Sequence, residues 1–120
     1  MPISEEQEQT IFTIILHAGN ARTKALEAAE KSAEGDCEAS EMLLQEADDE
    51  QVEAHRVLAP ILQDEAGGLK EVPFSALFVH AMDLLILAWA EIDHTRQLCN
   101  LHRRIEAVEN EVERWQKSKK

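Results

Sequence analysis

From Ala76 to Trp89 almost every residue is apolar, and from Leu98 to Trp115 apolar residues return at alternating intervals of three and four. Together these patterns describe one long α-helix, buried on more than one side in its first half. Its second half carries a coiled-coil seam made of Leu98, Leu101, Ile105, Val108, Val112 and Trp115. Traced backwards, the seam passes through His94, Glu91, Leu87, Leu84 and His80. Packing on helices of the same chain would account for part of this surface. The upstream helices run out of apolar residues first, however, so contact with further copies of the chain is expected.

Two more helices precede it. Ser4 with Glu5, Glu6 and Gln7 forms a capping box with carboxylates in the first turn. Ile11, Ile14, Ile15, Ala18, Ala21, Ala25, Leu26 and Ala29 then trace a helical stripe that Gly35 ends, and Asp36 can cap the next helix. The second stripe uses Met42, Leu43, Leu44, Ala47, Ala54, Leu58, Ile61 and Leu62, interrupted by the polar run Asp48-Asp49-Glu50-Gln51. Pro60 predicts a kink near Ile61 rather than a break, because the apolar pattern continues past it. Gly67-Gly68 stops the helix, and the third begins after Pro73-Phe74 with Ser75 as N-cap. The expected fold is an all-α, antiparallel three-helix bundle with a long third helix. With 120 residues there is room for one domain, 1–120, including a heptad-patterned extension at about 104–120.

Charge and composition narrow the function. The 44% hydrophobic content supports a core, and the net charge of −12, from 24 acidic and 12 basic residues, repels a phosphate backbone. Nucleic-acid binding is therefore not expected, whereas basic faces of protein partners suit such a surface. Solvated acidic helices explain the same charge without any partner. The start, Met1 to Glu6, shows no signal-peptide pattern, and the Ala76–Ala90 block is shorter than the roughly 20 residues of a membrane span and carries His80 and Asp83. No direct membrane insertion is therefore expected, and Cys37 and Cys99, which form no paired motif, read as reduced thiols of a cytoplasmic protein.

His80 and Asp83 are the only ionisable side chains in the apolar block, and at i and i+3 they share a helix face. With Ser75 as cap, His80 falls near the helix N-terminus, where free N–H groups and the dipole favour an anion. Imidazole titrates near pH 6.5, so its neutral nitrogen is a competent nucleophile at neutral pH. Phosphoryl transfer depends mostly on positioning and charge stabilisation, so one histidine at a helix start suffices. On spacing alone, a hydrogen-bonded core histidine with Asp83 as its partner fits at least as well. Glu91-Ile92-Asp93-His94 has the Glu-x-x-His spacing of di-iron helices, but that site needs two such motifs and two further glutamates, and one copy is present. Neither cysteine has a motif context for catalysis.

Three segments in order carry a family resemblance. Ala18-Gly19-Asn20-Ala21-Arg22-Thr23-Lys24 is similar to a small-Gly-x-Ala-Arg-Ser segment. Ala54-His55, followed by Ile61, Leu62, Glu65, Ala66 and Gly67, is similar to an Ala-His run ending helix two. Pro73-Phe74-Ser75 and Val79-His80-Ala81-Met82-Asp83-Leu84 resemble a Pro-Tyr-Ser and Met-His-x-Gln-Asp-His signature. Together they resemble the lactose/cellobiose-specific enzyme IIA proteins of the bacterial sugar phosphotransferase system, over about Ile11 to Arg103.

The resemblance implies a trimer built through helix three, in which His80 accepts phosphate from the histidine phosphocarrier protein and passes it to a IIB cysteine. It also implies that Asp83 meets its two symmetry mates around one Mg2+, since three converging carboxylates repel unless a cation or protons intervene. Met82 and Leu84 stand where the family has Gln and His, and Leu58 replaces a further Gln. Loss of these polar groups would remove hydrogen bonds to phosphate, each worth about 1.5–3 kcal/mol when charge-assisted. The alternative is a divergent helical oligomer without transfer activity. The portion past Arg104 runs beyond the usual family end.

Overall fold

The computed structural model describes residues 3–68 and 75–119. Over these residues the chain is three α-helices: α1 (Glu5–Ala33), α2 (Cys37–Ala66) and α3 (Ala76–Ser118). The expected Pro73-Phe74 helix start lies outside the described residues.

The ends are set by local chemistry. Ser4 Oγ accepts the Gln7 N–H at 3.1 Å while Gln7 Oε1 accepts the Ser4 N–H at 2.8 Å, so two donors that a helix start leaves open are satisfied. Gly35 ends α1 with φ 85°, a left-handed conformation that a Cβ would oppose. The reversed chain then lets the Asp36 N–H reach the Lys31 carbonyl at 2.9 Å. Asp36 caps α2 through the Ala39 N–H, and Ser75 caps α3 through the Phe78 N–H. The second helix runs unbroken through Pro60 and the polar run at 48–51.

Each helix turns one stripe inward, always at spacings of three and four. The buried positions are Ile11, Ile14, Ala18, Ala21, Ala25, Ala28 and Ser32 on α1. On α2 they are Ser40, Leu44, Ala47, Gln51, Ala54 and Leu58. On α3 they are Ala81, Leu85, Ala88, Ile92, Thr95 and Cys99. This periodicity belongs to helices that pack nearly parallel or antiparallel, and the many alanines let the axes come close. Leu26, Met42 and Leu62, expected inside, are exposed, while Ala28 and Gln51 take inward positions.

Cross-links fix the directions. His17 pairs with Glu50 and Lys24 with Glu46, so α1 runs against α2, and Ser32 Oγ lies 2.7 Å from His102 Nδ1 on α3. Ser40 Oγ lies 3.0 Å from Cys99 Sγ and Gln51 Nε2 donates to the Leu85 carbonyl at 3.1 Å, so α2 runs against α3. Beyond His102 every described residue of α3 is exposed. Past the Arg103–Glu41 pair the helix projects alone from Arg104 to Ser118, roughly 21 Å at 1.5 Å per residue. The molecule is accordingly elongated, 77 × 22 × 20 Å. Among the described residues no helix is long and apolar enough to cross a membrane.

Candidate functional site

The third helix carries two apolar stripes on opposite sides. One is the inward stripe from Ala81 to Cys99. The other faces away from the bundle and includes Val79, Leu87, Leu98, Leu101, Ile105, Val108, Val112 and Trp115, all exposed in the single chain. His80 and Asp83 sit with this outer stripe and are both exposed. The spacing had also allowed a hydrogen-bonded core pair, and the structure removes that option: neither is buried, and no hydrogen bond joins them.

Helical side chains lean towards the N-terminus, so the His80 imidazole lies over the first turn of α3. There the Phe78 N–H is taken by Ser75 Oγ, and the Val79 N–H by the Ser75 carbonyl. The N–H groups of Ala76 and Leu77 precede the first intrahelical bond and, with the positive end of the helix dipole, favour an anion beside His80.

The other histidines separate into two groups. His17 Nδ1 lies 2.5 Å from Glu50 Oε2, His102 is bonded to Ser32, and the His55 ring stands 6.2 Å from Trp89 at 47°. His55, His80 and His94 are all exposed with no hydrogen-bond or ion-pair partner among the described residues, His55 having only the Trp89 ring beside it. The three departures from the family signature are also accounted for by packing. Leu58 belongs to the core, and Met82 and Leu84 pack against it half-buried. Within one chain these side chains contribute apolar contact where polar ones would need partners.

A groove of about 400 Å³ between α2 and α3 is lined by Asp48, Gln51, Val52, His55 and Trp89. Trp89 is nine residues from His80, about half a turn round the helix, so the groove lies on the other flank. No three His, Cys, Asp or Glu side chains among the described residues of one chain form a metal-binding group. Asp83 alone offers a single carboxylate.

A family model described as the lactose/cellobiose-specific IIA subunit of the phosphotransferase system matches residues 9–103. The chain belongs to this family. It is 40% identical over 103 residues to the lichenan-specific phosphotransferase enzyme IIA component of Bacillus subtilis, covering 86% of this chain and 93% of that protein. It is 33% identical to the lactose-specific EIIA component of Lacticaseibacillus casei, over 92% of this chain and 97% of that one. The crystal structure of the cellobiose-specific enzyme IIA from Bacillus anthracis superposes with a TM-score of 0.83 at 30% identity, covering 88% of this chain and 95% of that one. The all-helical fold and the family resemblance read from the sequence are thus borne out. The chain is a IIA component of a phosphotransferase system for lactose/cellobiose-type sugars, a phosphotransfer protein by kind.

Proposed function

We propose that this IIA component carries phosphate on His80, taking it from the histidine phosphocarrier protein and giving it to a cysteine of the IIB subunit in the cytoplasm. What supports this is that His80 stands five residues after the Ser75 N-cap of α3, exposed and with no polar partner among the described residues. In the first step a neutral imidazole nitrogen of His80 attacks phosphorus. The donor's P–N bond breaks, and its imidazole leaves with the electron pair and takes up a proton. In the second step a IIB thiolate attacks the same phosphorus and the His80 nitrogen leaves in turn. The free N–H groups at the start of α3 hold the phosphate charge between steps, and the acidic surface steers basic faces of both partners towards the site.

The outer stripe supports self-association through α3, because a second chain would cover the apolar surface opposite the bundle, and the family resemblance makes that assembly a homotrimer. In such a trimer Asp83 would enter an apolar interface without a cationic partner among the described residues. Three such carboxylates suit one Mg2+, which takes oxygen ligands and would neutralise their repulsion. The ion would serve assembly rather than transfer.

Incubation with phosphoenolpyruvate and purified general phosphotransferase components tests the carrier reading. Mass spectrometry should find one added phosphate, lost in His80→Ala and kept in His55→Ala and His94→Ala. A protein that gains no phosphate on any histidine would overturn it.

A further inference from the structure

His94 lies on the outer face of α3, exposed and without a polar partner, while its neighbours Ile92 and Thr95 are buried against the bundle and Arg96 pairs with Asp48. It follows Asp83 by eleven residues. On a straight α-helix that is about 20° of rotation and roughly 16 Å of rise. It also stands one heptad after Leu87 and one before Leu101, so it shares their seam. A three-fold axis that runs along the outer face of α3 therefore has both Asp83 and His94 turned towards it.

We propose that His94 from three copies of the chain forms a second metal site on the trimer axis, taking Zn2+ or a similar imidazole-loving divalent ion; this rests on the trimer reading above. One imidazole per chain becomes three converging nitrogens, a three-histidine set that leaves a fourth tetrahedral position for water. The Glu-x-x-His motif that is single in one chain is present three times in the assembly. Glu91, half-buried one turn before His94, is placed to accept the second ring N–H and orient the ligand. Without a metal, three imidazoles would be desolvated among Leu87, Leu98 and Leu101 with nothing to satisfy their lone pairs. Nitrogen donors select against the hard Mg2+ ion that suits Asp83, so the two sites are chemically distinct.

The test titrates the full chain with Zn2+ in excess Mg2+ by calorimetry, with sedimentation on the same samples. One Zn2+ per three chains is expected, retained in His80→Ala and His55→Ala and lost in His94→Leu. The His94→Leu protein should remain trimeric, with a melting temperature that no longer rises on adding Zn2+. Substitution by Co2+ should give the visible absorption of a tetrahedral ion in the wild type only. A trimer that binds no Zn2+, or a His94→Leu variant that binds it like the wild type, would overturn the site and leave the trimer standing. A wild-type monomer would overturn both.

Discussion

Replacing Leu101 and Ile105 with Asp should dissolve the oligomer while leaving each bundle folded. The two side chains are 50% and 53% exposed in the single chain. Complete burial of a Leu or Ile side chain contributes about 1.5–3 kcal/mol, so covering the open half gives about half of that. Two positions in each of three chains then supply roughly 4.5–9 kcal/mol per trimer. At about 1.4 kcal/mol per tenfold change, the apolar loss alone weakens association by three to six powers of ten, and buried unpaired carboxylates add to it. Sedimentation at micromolar concentration should move from a trimer to a species near 13.5 kDa. Thermal melts should keep a cooperative transition, because the inward stripe from Ala81 to Cys99 is untouched. An unchanged sedimentation profile for the double variant would refute the assignment of this seam, and a wild-type monomer would refute the trimer itself.

Two other perturbations follow. Stripping divalent metal should lower the melting temperature of the wild type by removing a ligand of the native assembly, whereas Asp83→Asn should stay trimeric and become indifferent to chelators; metal-independent melting of the wild type would count against Asp83 as ligand. The Arg56 guanidinium holds the Glu53 carboxyl below its ordinary value of 4.5, so this contact stabilises the fold above that pH and is lost as pH falls through the lower folded value. The stability gap between wild type and Glu53→Gln should therefore be widest at neutral pH and close in acid, as followed by denaturant titration at stepped pH.

The helix ends were legible because Ser4, Gly35, Asp36 and Ser75 act through their own backbones and immediate neighbours. The inward faces were less so. An apolar stripe was sought on α2, yet Ser40 and Gln51 occupy seam positions, and their partners Cys99 and Leu85 lie on another helix. Spacing by three and four, regardless of polarity, would have found them. On α3 the difficulty was reversed: two stripes on opposite faces merge in the sequence into one apolar block. The traced seam through Leu84 and Glu91 follows the edge of the inner stripe, where both residues are half-buried. His80 was legible from its place after Ser75, but its lack of a polar partner, shared with His55 and His94, depends on where His17 and His102 find theirs, on Glu50 and Ser32 of other helices.

The part of α3 beyond Arg103, whose guanidinium still pairs with Glu41, is exposed throughout its described residues. Single helices of that length are marginal in water, since nucleation is unfavourable and side-chain pairs such as Arg114–Glu111 and Lys117–Glu113 return only a few tenths of a kcal/mol each. Order in this tail is consequently coupled to what lies against it. On dilution, far-ultraviolet ellipticity should fall before the bundle melts, amide protons from Arg104 onward should exchange first, and proteases should trim the chain there. In the proposed trimer part of the free energy of association would be spent on winding the tail, so its affinity should fall short of what the apolar area alone would give.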